Sequence, residues 1–208
     1  MNQGGDQQGK FITFEGIDGS GKSTQLKLLR DKLYEQDEHV VTTREPGGTR
    51  VGDAVREILL DASYQDMTVE TEALLYAASR VQLVQKFIVP SLDAGAHVLC
   101  DRFIDSSLAY QTRTHLNRKD VEQVNKFALK TAVPDVTFLI DVRPQTAYTR
   151  MGYKKDRIEN KGVDFQRSVR AEYLKLAKEN PERIILVDGE KNIWDVFHDI
   201  WLQVEAIL

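Results

Sequence analysis

The segment GIDGSGKS, residues 16–23, constrains the fold of this chain more than any other. It fits the pattern G-x-x-x-x-G-K-[ST], and both of its flanks agree with that pattern. Before it, KFITFE at 10–15 is short, aromatic and β-branched, as a buried strand should be. After it, residues 23–35 carry leucines at helical spacing. A strand, a glycine-rich turn and a helix, in this order, form the arrangement that a phosphate-binding loop requires.

The residue types of this loop suit a nucleoside triphosphate bound with Mg²⁺. Glycine at positions 16, 19 and 21 allows a backbone whose successive N–H groups point inward and cradle a phosphate. Lys22 would place its charge on the β and γ phosphates, and the Ser23 hydroxyl would bind Mg²⁺. The residues expected to bind the nucleoside triphosphate are Gly16, Ile17, Asp18, Gly19, Ser20, Gly21, Lys22, Ser23 and Thr24.

Length and composition indicate one soluble domain over residues 10–208, which is long enough to bury a core. A net charge of −4 gives no reason to expect a nucleic-acid partner, and no apolar run reaches the length of a membrane span. The single cysteine, Cys100, excludes an internal disulfide and suits the cytoplasm. The polar, glycine-rich residues 1–9 lack the apolar core of a signal peptide, and we expect them to be disordered.

Strands alternate with helices along the chain, which predicts an α/β fold of the P-loop NTPase type. Its three layers would be a parallel five-stranded sheet with helices on both faces. The predicted strands are 10–15, 39–43, 97–100, 136–140 and 183–187. The main predicted helices are 23–35, 50–61, 68–89, 118–131, 163–177 and 193–208.

Two of these helices carry further expectations. The helix at 50–61 has an apolar face made of Val51, Val55, Ile58 and Leu59. The helix at 68–89 is closed by proline and is apolar around much of its circumference. Such a broad apolar surface suggests burial on two sides, against the sheet and against a second subunit.

Charged residues follow two of the strands, at the sheet edge where ligands of such folds bind. Arg44 is either a ligand arginine or a solvated arginine of a surface turn. Asp101 ends an apolar strand, where a carboxylate commonly anchors Mg²⁺ through water, and Arg102 beside it would face the phosphates.

Other candidates are open to two interpretations on the residues alone. Tyr76 and Arg80 share a helical face and could hold a flat base, although their spacing alone favours an ordinary packing pair. Arg56 lies off its helix's apolar face, as surface charges do. The basic segment RMGYKKDRIE at 150–159 is either a solvated loop or a short lid, over about 150–160, that closes on the triphosphate.

Several motifs together resemble bacterial thymidylate kinase, a family of P-loop nucleoside monophosphate kinases. They are the phosphate loop, TREPGG at 43–48, YAASR at 76–80, DRFIDSSLAYQ at 101–111 and DRIE at 156–159. The resemblance runs from about residue 10 to the C-terminus. It implies transfer of the γ-phosphoryl group of ATP to dTMP with Mg²⁺, in dTTP biosynthesis, by a homodimer joined through the 68–89 helix.

The resemblance also implies roles in holding the thymine base and the sugar. Tyr76 would stack on the thymine ring, and Arg80 would hydrogen-bond the edge of the base. Ser107 and Gln111 would help to read the base. Tyr110 would crowd the sugar 2′ position and so disfavour ribonucleotides.

The same resemblance implies how the acceptor phosphate is held. Arg44, Arg56 and Arg102 would bind that phosphate, and Asp18 would contact the sugar 3′-hydroxyl. The segment at 112–116, TRTHL, departs from the glycine-rich stretch with an arginine that relatives have there, which puts the edge of the base pocket and the range of substrates in doubt.

Catalysis would then rest on Lys22, Arg102 and an arginine of the lid. Some relatives carry an arginine within the phosphate loop where this chain has Gly19, whereas the bacterial type takes its catalytic arginine from the lid. Arg157 is the first candidate for that role and Arg150 the second.

Three other functions are alternatives to thymidylate kinase activity. A GTPase switch requires an N-K-x-D motif, but Phe-Ala follows Asn125-Lys126 and Gly-Val follows Asn160-Lys161. A catalytically silent nucleotide-binding module is disfavoured because its chain would not need the full set of Lys22, Ser23, Asp101 and Arg102. A nucleoside monophosphate kinase with a different or broader acceptor range is the nearest alternative.

Overall fold

The computed structural model describes residues 9–112, 115–151 and 162–208. Its sheet has five strands in the order β2-β3-β1-β4-β5, and all neighbouring strands run parallel. The strands are β1 Phe11–Glu15, β2 Val40–Arg44, β3 His97–Asp101, β4 Val136–Asp141 and β5 Ile184–Asp188. The predicted parallel five-stranded sheet is therefore confirmed.

Helices connect these strands and cover both faces of the sheet. In the described ranges they are α1 Lys22–Glu35, α2 Arg50–Leu60, α3 Val69–Leu83, α4 Val89–Asp93, α5 Ile104–Gln111, α6 Arg118–Val124, α7 Lys126–Leu129, α8 Pro144–Arg150, α9 Gly162–Glu179 and α10 Ile193–Glu205. Side chains alternate along each strand, so that Phe11 belongs to one hydrophobic cluster and Ile12 to the other. The cluster of Ile12 contains α1 and α10, and that of Phe11 contains α3, α5, α6 and α9.

Parallel strands place their carboxyl ends at one edge of the sheet. Glu15, Asp101 and Asp141 end the three central strands there, and the loop after β1 leads directly into α1. In open α/β sheets this edge is where ligands bind. The fold thus brings the phosphate-binding loop and the charged residues that follow the strands to the same place.

The prediction that Pro90 closes the helix begun at Thr68 is wrong. Thr68 does cap the helix, since its hydroxyl accepts from the N–H of Thr71. The chain, however, continues from α3 through a π-helical turn, Val84–Ile88, into α4, with Pro90 near the start of α4. A wider π turn accommodates proline, which lacks an N–H and would clash with the carbonyl four residues earlier in a regular helix.

The predicted helix at 118–131 is interrupted at Asn125, between α6 and α7, and its regular part ends at Leu129. The Asn125 side chain donates to the carbonyl of Val121, where it competes with the backbone of the helix. The segment before it also differs from expectation, because α5 forms a helix that the polar composition of 103–111 did not predict.

The apolar face predicted for α2 is only partly buried. Leu59 has no exposed surface, whereas 52% of Val51 and 41% of Ile58 are exposed. This helix packs on α3, where Leu74 is 57% exposed. Both helices therefore present apolar side chains at the surface.

Residues 1–9 were expected to be disordered, and residues 1–8 of this segment lie outside the described residues. Gly9 is buried, and a Cβ there would come within 2.0 Å of the carbonyl oxygen of Ala96, so this residue belongs to the folded part. Most of the predicted lid, from residue 152 onward, also lies outside the described residues. No helix in the described ranges is long and apolar enough to cross a membrane.

Candidate active site

The loop between β1 and α1 has the conformation that its glycines allow. Gly16, Gly19 and Gly21 have φ angles of 138°, 78° and 101°, a region that side chains with a Cβ rarely adopt. A Cβ on Gly16 would lie 2.5 Å from the carbonyl oxygen of Ile140, and one on Gly19 would lie 2.4 Å from that of Ala147. The turn is thus held close to β4 and α8. The remaining nucleotide-binding candidates lie in this turn and in the first turn of α1.

Lys22 is folded back onto the loop that it follows. Its Nζ donates to the carbonyl oxygens of Gly16 and Ile17, at 3.1 and 2.9 Å. Burial, and after it the charge of Arg102, lower the pKa of Lys22 to about 8 against the raising effect of nearby carboxylates. An anion that arrived in the loop would restore the preference of this amine for its charged form.

Ser23 and Asp101 meet beside the loop. The Ser23 hydroxyl donates to Oδ2 of Asp101 at 2.6 Å, although the two residues are 78 positions apart in the chain. A protein needs to supply only one or two oxygen groups to a Mg²⁺ site, because this ion keeps several waters and takes further oxygens from phosphates. One hydroxyl and one carboxylate are therefore suitable. The described residues contain no cluster of three or more His, Cys, Asp or Glu side chains that could hold a metal ion.

Arg102 crosses from the end of β3 to the loop. Its backbone has a φ of 72°, which is uncommon for a residue with a side chain. Nη1 donates to the carbonyl oxygen of Gly16 at 3.0 Å, and Nη2 donates to Oδ1 of Asp18 at 2.5 Å. Burial alone would raise the pKa of Asp18, but the charges of Arg102 and Lys22 bring it below its ordinary value.

A buried network beneath Arg102 was missed by the sequence analysis. Glu15 has no exposed surface and accepts hydrogen bonds from the N–H of Phe103 at 2.7 Å, from the Ser106 hydroxyl at 2.6 Å and from the Tyr173 hydroxyl at 2.7 Å. Arg102 Nη1 in turn donates to Ser106 and Tyr173. Burial raises the pKa of Glu15, and a neighbouring carboxylate raises it further. This network fixes the start of α5 and the guanidinium of Arg102.

A cleft of about 600 Å³ opens beside the loop, part of it continuous with solvent. Most of the predicted acceptor-binding residues line it: Asp18, Arg56, Tyr76, Arg80, Arg102, Ser107, Tyr110 and Gln111. Glu45, Pro46, Leu60 and Ser106 line it as well and were not among the predicted residues. Glu45 belongs to the TREPGG motif, which is the one signal that could have indicated it.

Four of the lining residues, Arg56, Tyr110, Asp18 and Arg102, have contacts that fix them. Arg56 donates from Nη1 to the carbonyl oxygen of Pro46 at 2.9 Å. The hydroxyl of Tyr110 donates to Asp18 at 3.3 Å, while its ring lies beneath the Arg102 guanidinium, 5.3 Å from the guanidinium carbon to the ring centroid. Asp18 and Arg102 are therefore held together from the side of α5.

Two predicted arginines lie away from this cleft. The side chain of Arg44 is 61% exposed and pairs loosely with Asp53, 3.9 Å away, and it is not among the residues that line the cleft. Arg150 is exposed at the end of α8 and donates to the carbonyl oxygen of Gly189 at 3.1 Å, at the end of β5. Arg157 lies outside the described residues.

The deepest polar group of the cleft is an ion pair. Arg80 is 1% exposed and Glu45 is 4% exposed, and Arg80 Nη2 lies 2.6 Å from Oε2 of Glu45. Burial raises the pKa of Glu45, the charge of Arg80 only partly offsets this, and the resulting pKa is about 7. The other oxygen, Oε1, is buried and makes no hydrogen bond within the part of the chain that the structure describes.

Comparison with known proteins agrees with this arrangement. The family model described as Thymidylate kinase matches residues 14–200. A thymidylate kinase of Caldanaerobacter subterraneus subsp. tengcongensis is 48% identical over 203 residues, which cover 97% of each chain. One from Thermoanaerobacter sp. (strain X514) is 46% identical over 93% of this chain and 96% of the relative. One from Desulforudis audaxviator is 47% identical over 96% of this chain and 92% of the relative.

Proposed function

This chain belongs to the thymidylate kinase family, and we propose that it transfers the γ-phosphoryl group of ATP to dTMP, giving dTDP and ADP, in dTTP biosynthesis. The observation that carries the proposal is the continuity of the cleft. Asp18 and Arg102, at the phosphate loop, line the same cavity as Tyr76 and Arg80. A nucleoside monophosphate in this cavity would have its base at the aromatic side and its phosphate toward the loop.

The acceptor oxygen of dTMP is already an anion, so the reaction needs no general base. Rate enhancement must come from alignment of the two phosphates and from neutralisation of their charge. Lys22 would hold the donor phosphates, and Arg102 would hold the acceptor phosphate. Arg102 is suited to this role because Gly16, Ser106 and Tyr173 fix its guanidinium beside the loop.

We propose Mg²⁺ as the cofactor of ATP. Ser23 and Asp101 would hold it, the serine directly and the aspartate through water, and their 2.6 Å hydrogen bond places both oxygens at the mouth of the loop. Bound there, the ion would neutralise charge on the phosphate oxygens.

The roles that we propose for the acceptor site follow its geometry. Tyr76 would stack on the thymine ring, with Arg80 at the edge of the base. Ser107 and Gln111 are both 3% exposed and both line the cleft, which supports contacts with the base. Tyr110 would face the sugar 2′ position.

The acceptor phosphate and the sugar hydroxyl would be held at the loop end. Arg56 and Arg102 both line the cleft, and we propose that both bind the phosphate. Asp18 would accept from the sugar 3′-hydroxyl. Arg44 is exposed at the end of β2 in this structure, so its contact with the phosphate requires its long side chain to turn toward the cleft.

The remaining proposals concern the lid and the assembly. We propose Arg157 as the lid arginine that meets the transferred group, with Arg150 as the second candidate. We also propose a homodimer through α3 in the cytoplasm. The exposed apolar residues Val51, Ile58 and Leu74, on the packed pair α2 and α3, support such an interface.

The test is release of ADP from ATP and Mg²⁺ with dTMP, dUMP, UMP, dCMP, dGMP or AMP offered separately. Strong activity with dTMP and little with UMP is expected, and Lys22→Ala should abolish it. Activity spread evenly over the acceptors would indicate a broader nucleoside monophosphate kinase. ATP binding without turnover on any acceptor would indicate a silent module and would reject the proposal.

A further inference from the structure

The guanidinium of Arg80, on α3, is fixed from two sides inside the cleft. Nε donates to Oε2 of Glu45 at 2.8 Å, and Nη2 lies 2.6 Å from the same oxygen. On the opposite side Nη1 donates to Oδ1 of Asn125 at 2.5 Å. Glu45 follows β2 and Asn125 lies between α6 and α7, so two separate parts of the fold determine the plane of this group.

The orientation of the Asn125 amide is determined by its neighbours. Asn125 has no exposed surface, and its Nδ2 donates to the carbonyl oxygen of Val121 at 2.8 Å. A rotated amide would place its NH₂ against the N–H groups of Arg80 and its oxygen against the Val121 carbonyl, which is unfavourable at both ends. The oxygen of Asn125 therefore faces Arg80.

Among the described residues, the hydrogen bonds of Arg80 leave one N–H of its guanidinium without an acceptor. An arginine has five N–H groups in a planar fork. Nε has one, which Glu45 accepts, and Nη2 has two, with Glu45, the carbonyl of Phe103 and the hydroxyl of Ser107 all within 3.1 Å. Nη1 gives one N–H to Asn125, and the structure pairs its second with no residue in 9–112, 115–151 or 162–208.

The remaining N–H of Arg80 can distinguish between bases by whether they present a hydrogen-bond acceptor to it. Arginine only donates, so it favours a base that presents an acceptor. Thymine presents a carbonyl at position 4, whereas cytosine presents an amino group there. Both bases carry a carbonyl at position 2, and at position 3 cytosine presents an acceptor nitrogen and thymine an N–H, so a donor favours thymine over cytosine only at position 4.

We propose that Asn125 is a positioning residue for acceptor selectivity. It holds Nη1 of Arg80 so that the second N–H of this nitrogen is directed at the 4-carbonyl of the base. This inference rests on the proposed function. Asn125 also begins an N-K dipeptide, but this dipeptide lacks the rest of the N-K-x-D motif that binds guanine. The role that we propose for Asn125 is a different one.

The chain offers a matched control for Asn125. Asn180, at the end of α9, donates from Nδ2 to the carbonyl of Leu176 at 2.8 Å, the same local bond to the residue four positions earlier. It makes no hydrogen bond to Arg80. A change common to Asn125→Ala and Asn180→Ala is therefore due to loss of the local bond alone.

The experiment measures kcat and KM for dTMP and for dCMP with each variant. In Asn125→Ala the ratio of kcat/KM for dTMP to that for dCMP should fall by ~10-fold or more, the usual effect of losing one well-placed hydrogen bond to a base edge. The fall should come from a higher KM for dTMP, with kcat within about threefold of wild type. Asn180→Ala should keep the wild-type ratio within about twofold.

Two further variants separate positioning from folding. Asn125→Asp keeps an oxygen that accepts from Arg80, and in its protonated form its other oxygen still donates to the Val121 carbonyl, so this variant should restore the ratio to within about threefold of wild type. Asn125→Leu has a similar volume and no acceptor, and it replaces Asn125→Ala with the same expected ratio if the alanine variant does not fold. In an Arg80→Ala background, Asn125→Ala should change the ratio by less than about twofold, because the group that it positions is gone.

The outcomes that reject the inference are distinct from those that reject the function. A wild-type ratio in Asn125→Ala or Asn125→Leu overturns the inference, as does an Asn125→Asp variant as impaired as Asn125→Ala. An unchanged effect of Asn125→Ala without Arg80 shows that Asn125 acts by another route and also overturns it. Wild-type protein that fails to phosphorylate dTMP rejects the proposed function and this inference together.

Discussion

Ser23 donates its hydroxyl hydrogen to Oδ2 of Asp101 at 2.6 Å, and the two residues come from the first turn of α1 and the last position of β3. Strand β3 is the parallel neighbour of β1, which leads into the phosphate loop. Adjacent parallel strands therefore place a hydroxyl and a carboxylate side by side where the phosphates of ATP would arrive. This juxtaposition is the structural basis of the proposed Mg²⁺ site.

Replacement of Asp101 should weaken the magnesium requirement of the site selectively. Asp101→Asn is expected to raise the Mg²⁺ concentration for half-maximal activity by ~10-fold or more, since groups that hold a metal's bound waters have effects of this size. The measurement is a Mg²⁺ titration at saturating ATP and dTMP. Asp188→Asn, at the end of edge strand β5, is the control and should leave the titration unchanged. A wild-type titration in Asp101→Asn would contradict the assignment.

Nucleotide affinity should fall as the pH rises above 8. Burial lowers the pKa of Lys22 to about 8, so the free protein loses this positive charge above that pH, whereas bound phosphates favour the charged amine. Binding must then take up a proton, and the Kd of MgATP should rise by up to ~10-fold per pH unit between pH 8 and 9.5. Calorimetric titration at several pH values measures this.

Lys22→Arg serves as the control for this pH dependence. Arginine stays charged over the whole range. The variant is expected to bind more weakly than wild type at pH 7.5 but with a Kd that changes little up to pH 9.5. A wild-type Kd that is flat across pH 8, or a variant with the wild-type slope, would exclude Lys22 as the titrating group.

The proposed lid arginine should affect turnover rather than acceptor binding. Arg157→Ala is expected to lower kcat by ~100-fold or more, because arginines that neutralise the transferred phosphoryl group have effects of at least this size. The KM for dTMP should change little. Arg150→Ala is the comparison, and its side chain binds the carbonyl of Gly189 in this structure. Turnover within a few-fold of wild type in Arg157→Ala, with a large loss in Arg150→Ala, would reverse the assignment.

Tyr110 should determine the preference for a deoxyribose. Its ring contacts both the Arg102 guanidinium and the ring of Phe165, whose centroid is 5.9 Å from that of Tyr110, and these contacts oppose movement of the ring away from a 2′-hydroxyl. Tyr110→Ala is expected to raise the kcat/KM of UMP relative to dUMP by ~10-fold or more. Tyr110→Phe keeps the ring and should keep the preference. An unchanged ratio in Tyr110→Ala would remove Tyr110 from this role.

Local patterns in the sequence were sufficient for much of the fold. The five strands are short apolar or β-branched runs, and the loop at 16–23 has glycines at positions with positive φ. Parallel pairing then brings the strand ends to one edge, so Ser23 and Asp101 could be expected near each other before their contact was seen. These features depend on spacing and backbone chemistry that neighbouring residues determine.

The parts that could not be predicted depend on contacts between distant segments. Glu15 reads as the last residue of a strand, and only the packing of α5 and α9 on β1 shows that it holds Ser106 and Tyr173. Asn125 lies in an amphipathic pattern that predicts an uninterrupted helix, and its side chain breaks that helix while reaching Arg80. Pro90 predicts a helix end, and the π turn that lets the helix continue past this residue has no marked sequence signal.

The central claim is that this chain moves the terminal phosphoryl group of ATP onto dTMP. The most direct measurement uses ATP labelled in its γ-phosphate, with Mg²⁺ and dTMP, and follows the label by separation of the products. The account predicts that the label appears in dTDP, with one unlabelled ADP formed for each dTDP, and that Lys22→Ala forms neither. Label found in inorganic phosphate, or retained in ATP although ATP is bound, would contradict it.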